Sequence, residues 1–125
     1  MNQLLLVAAG GAIGASLRHL SNHLFLRAFG PGFPYSTLFV NVLGSFLMGI
    51  IISWLVKRTG ASNELRLFLT TGILGGFTTF SAFSLDVANL VERGELNSAI
   101  GYALLSVVFS ITGVFAGLWF GRIML

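Results

Sequence analysis

The chain contains no cysteine, only two prolines and few charged residues. Without cysteine, disulfide bridges and thiolate metal sites are excluded. Charged side chains make up 9% of the sequence, whereas a soluble domain carries about 25%. Seven Lys and Arg residues against four Asp and Glu residues are too few for a nucleic-acid-binding surface. No catalytic base, nucleophile and orienting group fall at one depth of the chain, so we expect no enzyme.

The chain has instead a high content of apolar residues, at 55% of the sequence and a mean hydropathy of +0.90. They form four segments, each near the ~20 residues that cross a bilayer as a helix. The segments lie at about residues 3–27, 35–57, 65–91 and 97–122. The sequence therefore predicts an all-α membrane protein with four transmembrane helices, in which residues 1–125 form a single domain.

The positive charges give only a weak orientation signal. If the spans alternate in direction, four Lys and Arg residues lie on one side of the membrane and two or three on the other, depending on where Arg18 reaches. Such a weak bias permits insertion in both orientations. Four short spans also enclose little space, so a pore needs a second copy. We therefore expect an antiparallel, dual-topology homodimer embedded in membrane lipid.

The third segment contains Thr70–Ser84, TTGILGGFTTFSAFS, the poorest helix former in the chain. Gly72, Gly75 and Gly76 each destabilise a helix interior by about 1 kcal/mol relative to alanine. Thr70, Thr71, Thr78 and Thr79 are β-branched as well, so we expect the third helix to break near its middle, within this stretch. Unwound backbone at this depth is tolerated only where protein or water covers it, and freed carbonyls there can coordinate a cation.

Two phenylalanines follow these glycines at helical spacing. Phe80 and Phe83 are three residues apart, and hydroxyl side chains that include Ser81 surround them. Because the edges of aromatic rings are electropositive, ring edges and hydroxyls together can surround a small anion. The alternative is that both phenylalanines face lipid. The neighbouring break favours a binding site.

Polar side chains on the second and fourth spans fall at helical spacing. Asn41 is a candidate donor to an ion, although a membrane asparagine can also simply hold helices together. Hydroxyls on the fourth span form a candidate ladder of donors, although Ser and Thr can also bond back to their own helix. The ladder residues are Tyr102, Ser106 and Ser110, with Thr112 off to one side.

Two charged residues lie within apolar sequence. Arg18 follows the 14 uncharged residues Leu4–Leu17, and charges at such depth are usually functional or paired. Asp86 is the only acid within a span, where it is a candidate proton carrier, gate or polar helix end. His19 and His23 have metal-ligand spacing, but no acid or thiol accompanies them in the first span, so we expect no metal site there.

Three motifs carry a resemblance to a known family. They are GGAIGASLR at Gly10–Arg18, STLFVNVLGSF at Ser36–Phe46 and TTGILGGFTTFSAFS at Thr70–Ser84. In the order and spacing of these motifs, the chain resembles the Fluc (CrcB) fluoride channels along essentially its whole length. The resemblance implies a passive, fluoride-selective channel of the bacterial plasma membrane, built as an antiparallel homodimer with two pores. Its role would be to let fluoride leave the cytoplasm, which reduces fluoride toxicity.

The resemblance also implies roles for individual residues. A structural sodium ion that is not transported would be held at the dimer interface by backbone carbonyls, which here match Gly75 and Thr78. Arg18 matches an arginine of the first helix, which we interpret as shaping an electropositive vestibule. The chain departs from the family pattern at Ala82, which removes a hydroxyl, and at Asp86, which is shorter than glutamate. The anion pathway matches Asn41, Phe80, Ser81, Phe83, Tyr102, Ser106, Ser110 and Thr112.

Two other kinds of membrane protein are alternatives. A small proton-coupled exporter of four spans would need a carboxylate in the first span, and this chain has none there. A non-transporting scaffold would use small residues for packing, but would need neither hydroxyl stripes nor a broken helix. Both alternatives are therefore less favoured than the channel.

Overall fold

The computed structural model describes residues 2–58 and 60–125, and the chain folds as a bundle of helices. Four of its helical spans are long and apolar enough to cross a membrane, which confirms the all-α, four-span prediction. The unbroken spans are α1 (Asn2–Phe29), α2 (Tyr35–Lys57) and α6 (Leu96–Met124). The third span, Asn63–Glu92, consists of α3 (Asn63–Arg66), a π-helical segment (Leu67–Leu74), α4 (Gly75–Phe77) and α5 (Phe80–Glu92).

The second and fourth spans run parallel and pack closely through glycine. A Cβ atom on Gly49 of α2 would lie 2.6 Å from the backbone nitrogen of Leu118. A Cβ atom on Gly117 of α6 would lie 3.0 Å from the nitrogen of Ile50. At the end of the pair, Lys57 Nζ donates to the carbonyl of Gly121 over 3.1 Å. Because glycine has no side chain, the two backbones approach each other directly, as is common between membrane helices.

The first and third spans form a second parallel pair of the same kind. A Cβ atom on Gly10 would lie 2.9 Å from Gly72 Cα, and one on Gly76 would lie 2.7 Å from the carbonyl oxygen of Gly11. A Cβ atom on Gly14 would lie 2.8 Å from the nitrogen of Phe77. The glycines of the third span therefore allow α1 to pack against it.

The third span is broken within Thr70–Ser84, as predicted, but at two of its threonines rather than at its glycines. Gly72 lies in the π-helical segment, and Gly75 and Gly76 lie in α4. The helix is interrupted instead at Thr78 and Thr79. Gly72 and Gly76 pack closely against α1, where side chains would collide, whereas the break is held by a residue of α2.

A buried cluster lies where α5 and α6 meet, towards the loop that connects them. Leu90, Ala99 and Tyr102 are almost entirely buried there, with Phe33 and Phe83 packed against them. The cluster fixes the depth at which α6 lies against α5, and so places the polar face of α6 beside the break.

Candidate functional site

Asn41 of α2 holds the break in the third span. Its Nδ2 atom donates to the carbonyl of Thr79 over 3.0 Å, and the N–H of Thr79 donates to Asn41 Oδ1 over 2.8 Å. The backbone is extended at Thr78 (φ −89°, ψ 159°) and at Thr79 (φ −156°, ψ 126°). The amide therefore satisfies both polar groups of an unwound residue, which the interior of a membrane requires.

The break leaves several carbonyls without their helical partners, among them those of Gly75 and Thr78. In an α-helix, a carbonyl accepts a hydrogen bond from the N–H four residues later. The N–H that would serve Gly75 belongs to Thr79, which donates to Asn41 instead. The N–H that would serve Thr78 belongs to Ala82, which donates to the hydroxyl of Thr79 over 3.1 Å. The two carbonyls that the sequence matched to a sodium site can therefore accept a ligand, and sodium itself stays a prediction.

Arg18 reaches the same region from α1. Its Nε atom donates to the carbonyl of Gly76 over 3.0 Å, so the guanidinium serves a carbonyl beside the break. Arg18 also lines a cavity of about 280 Å³ to which His19, Asn22 and Asp86 contribute. The cavity thus contains an acidic as well as a basic side chain, and an electropositive vestibule stays a prediction.

A groove of about 300 Å³ opens beside the break, between α2, α5 and α6. It brings together most of the predicted anion pathway, namely Asn41, Phe80, Phe83, Ser106 and Ser110. The remaining lining residues are Ser45, Thr78, Thr79, Val107 and Ile111. None of these lining residues carries a charge, so the polar character of the groove comes from hydroxyls, one amide and ring edges.

The other three predicted pathway residues lie outside the groove of a single chain. Ser81 is exposed on α5, and its Oγ atom lies 3.3 Å from that of Thr79. Thr112 is exposed on α6, about 200° around the helix from Ser110. Tyr102 is fully buried, and its hydroxyl donates to Asp86 Oδ2 over 2.9 Å. The structure therefore does not bring Ser81 and Thr112 to the groove, and it pairs Tyr102 with an acid.

An aromatic row connects Tyr102 to the groove. The ring centroids of Phe80 and Phe83 are 5.5 Å apart, and those of Phe83 and Tyr102 are 5.2 Å apart. Both pairs are tilted, with interplanar angles of 49° and 47°. Tyr102 therefore adjoins the groove through the ring of Phe83.

Two hydroxyls of the groove are buried without a hydrogen-bond partner. Within the described part of the chain, neither Ser106 Oγ nor Ser110 Oγ has one. A buried hydroxyl that is left unsatisfied destabilises a protein by about 1–3 kcal/mol. The amide of Asn41 also carries a second N–H besides the one that Thr79 uses. The groove is thus lined by uncharged donors that a ligand can satisfy.

Sequence reasoning missed Ser45 and the pairing of Tyr102 with Asp86. Ser45 lies one helical turn after Asn41, so the spacing of polar residues on α2 could have identified it. The pairing joins different helices, and no periodicity within one helix indicates it.

The profile of the family described as CrcB-like protein, Camphor Resistance (CrcB), matches residues 5–118 of this chain. The chain belongs to the CrcB family. Among similar proteins is the fluoride-specific ion channel FluC of Mesorhizobium japonicum, which is 57% identical over 122 residues and 98% of each chain. A protein of the same name from Rhizobium meliloti is 52% identical over 99% of each chain. Another, from Caulobacter vibrioides, is 49% identical over 98% of this chain and 97% of the relative. The family is thus one of ion channels, which agrees with the expectation that the chain is not an enzyme.

Proposed function

We propose that this chain forms a fluoride-selective channel, through which fluoride leaves the cytoplasm passively and so becomes less toxic. The observation that carries the proposal is the groove, which combines uncharged donors with two buried hydroxyls that have no partner among the described residues. The relatives, which match almost the whole chain, are named fluoride-specific ion channels and supply the identity of the ion.

The chemistry of the groove suits a small, strongly hydrated anion. A pore must replace the water around fluoride with other donors, and it must bind weakly enough to release the ion again. Ser106, Ser110 and the spare N–H of Asn41 offer such donors, and the edges of Phe80 and Phe83 add weak electropositive contacts. A lysine or arginine at this point would bind fluoride more tightly, and none of the lining residues is charged.

The outer face of α5 has features that favour contact with a second copy of the chain. Phe80, Ser81, Ser84, Leu85 and Ala88 are exposed and form one continuous stripe of this helix. Two serines in the middle of a membrane span are typical of contacts between helices rather than of contacts with lipid. We therefore propose an antiparallel homodimer in the bacterial plasma membrane, in which the partner covers this stripe and adds the missing walls of the pathway.

The carbonyls that the break has freed are suitable ligands for the proposed sodium ion. Carbonyl oxygens replace the hydration shell of alkali cations, and the carbonyls of Gly75 and Thr78 have lost their helical donors. In a dimer, the same pair from each copy would provide four oxygen ligands. The ion would then hold the two breaks together and would not be transported.

Fluoride efflux from liposomes tests the function. Purified protein is reconstituted with a fluoride gradient, an ionophore balances the charge, and an electrode measures the released fluoride. We expect rapid release of fluoride, and retention of chloride in a parallel experiment. Release no faster than from protein-free vesicles would contradict the proposal.

The sodium site needs a different measurement. When sodium is replaced by a much larger organic cation, we expect the dimer to dissociate or to unfold at a lower temperature, which size-exclusion chromatography and thermal unfolding can follow. If both measurements stay unchanged in the larger cation, the chain has no sodium site of this kind.

A further inference from the structure

We infer that Ser45 is an additional anion-binding residue of the groove, one that extends the row of donors beyond Ser110; this inference rests on the proposed function. Ser45 lies on α2, one turn after Asn41, and lines the same groove as Ser106 and Ser110. A Cβ atom on Gly113 of α6 would lie 3.7 Å from the Cβ atom of Ser45. Ser45 therefore lies at the same height in the bundle as Gly113, which follows Ser110 by nearly one helical turn.

The donors form two parallel rows. On α6, Ser106 and Ser110 are four residues apart, and on α2, Asn41 and Ser45 are also four residues apart. Because α2 and α6 run in the same direction, both rows advance together along the groove. Successive donors are then separated by about one helical turn, or ~5–6 Å, which suits an ion that passes from one weak site to the next.

The hydroxyl of Ser45 has no structural use within the described residues. Some helical hydroxyls in this chain bond to the carbonyl four residues earlier, as Ser16 does to Ala12 over 2.6 Å and Ser84 to Phe80 over 3.0 Å. Ser45 makes no such bond to Asn41, nor to any other described residue, so its oxygen is available to a ligand. In the same lining, the hydroxyl of Thr78 donates to the carbonyl of Leu74 over 2.9 Å, whereas that of Thr79 accepts from the N–H of Ala82 and keeps its own proton to donate.

Among the described lining residues at its end of the groove, Ser45 supplies the only hydroxyl with a proton free to donate, because Thr78, which packs against Gly44, donates its hydroxyl to the carbonyl of Leu74. Past Ser110, the lining given by α6 is Ile111, which is apolar, and the next residue level with Ser45 is Gly113, which has no side chain. An anion that leaves Ser110 in this direction therefore meets the Ser45 hydroxyl or hydrocarbon. Removing the hydroxyl raises the free energy of the ion at this step and slows its passage.

The test compares Ser45→Ala with Ser45→Thr and Ser16→Ala in the liposome efflux experiment, each normalised to folded protein. Losing one hydrogen bond to an anion predicts a fluoride flux about tenfold lower for Ser45→Ala, with an unchanged temperature of unfolding. Ser45→Thr keeps a hydroxyl, so its fluoride flux should stay within about threefold of wild type. That change in flux is smaller than the one expected from losing a whole hydrogen bond. Ser16→Ala should match wild type, because the Ser16 hydroxyl is bonded within α1 and lies outside the groove.

The outcomes separate this inference from the proposed function. If wild-type vesicles release fluoride and Ser45→Ala vesicles release it equally fast, the inference is wrong and the channel function stands. If the flux and the unfolding temperature of Ser45→Ala fall together, Ser45 is a packing residue, and the inference is again wrong. If wild-type vesicles release no fluoride, the proposed function fails and the inference fails with it.

Discussion

The side-chain amide of Asn41 and the backbone of Thr79 exchange two hydrogen bonds, of 3.0 and 2.8 Å, across 38 residues of sequence. The pair fixes an extended peptide within a membrane helix. It also frees the carbonyl of Gly75, because the N–H of Thr79 no longer reaches it. One asparagine thus both shapes the break and lines the groove beside it.

Changing Asn41 to aspartate should disrupt both roles. Asn41→Asp keeps an oxygen that accepts from the N–H of Thr79, but its second carboxylate oxygen faces the carbonyl of Thr79 and repels it. The added negative charge also opposes an anion in the groove, so we expect fluoride flux to fall by about a hundredfold or more. Liposome efflux measures the effect. Asn63→Asp, at the exposed start of the third span, is the control and should conduct as wild type does.

Replacing the groove phenylalanines with isoleucine should separate ring chemistry from apolar bulk. Phe80→Ile and Phe83→Ile keep a large apolar side chain but remove the electropositive ring edge, so we expect flux to fall about tenfold or more with a folded protein. Phe115→Ile is the matched control, because Phe115 is exposed on α6 and does not line the groove. Equal fluoride flux in all three variants would remove the phenylalanines from the pathway.

The glycines of α1 should differ in their tolerance of alanine. A Cβ atom on Gly14 would collide with the carbonyl of Ile73 and lie 2.8 Å from the nitrogen of Phe77, whereas one on Gly11 would meet nothing within 4 Å. We expect Gly14→Ala to lower the free energy of unfolding by about 1–3 kcal/mol, and Gly11→Ala to raise it by up to about 1 kcal/mol, since alanine is the better helix former and meets nothing there. Thermal unfolding in detergent measures both. A Gly11→Ala protein that unfolds as early as Gly14→Ala would contradict this packing.

The four spans could be predicted from the sequence because hydropathy depends only on local composition. Residues that share one helix face could be predicted for the same reason, and Ser106 and Ser110 do line one groove. Thr112 was set off to one side by the same periodicity, and it lies outside the groove. Hydropathy and helical periodicity therefore predicted where the helices lie and which residues share a helix face.

Contacts between spans could not be predicted in this way. The position of the break depends on Asn41, which belongs to another helix, so helix propensities identified the stretch Thr70–Ser84 but not the residues at which it unwinds. The pairing of Tyr102 with Asp86 depends on how α6 lies against α5. Gly72 and Gly76 looked like helix breakers because the sequence alone does not show that α1 packs on them.

Two substitutions at Arg18 should distinguish its charge from its hydrogen bond. Glutamine places an amide nitrogen at the same distance along the side chain as Nε of arginine, so Arg18→Gln can keep the bond to the carbonyl of Gly76 while losing the charge. Lysine has a methylene at that position, so Arg18→Lys keeps the charge and loses the bond. We expect Arg18→Lys to lower the free energy of unfolding by about 1–2 kcal/mol, and Arg18→Gln to change it little.

The two variants should also differ in how fluoride flux depends on salt. If the charge of Arg18 concentrates anions at the entrance, Arg18→Gln should reduce flux several-fold at low ionic strength and less at high ionic strength, because salt screens the attraction. Arg18→Lys, normalised to folded protein, should keep the salt dependence of wild type. Arg27→Gln, an exposed arginine further along the same helix, is the control for a general loss of charge. A flux of Arg18→Gln that equals that of wild type at low ionic strength, or that falls equally at every salt concentration, would contradict an electropositive vestibule.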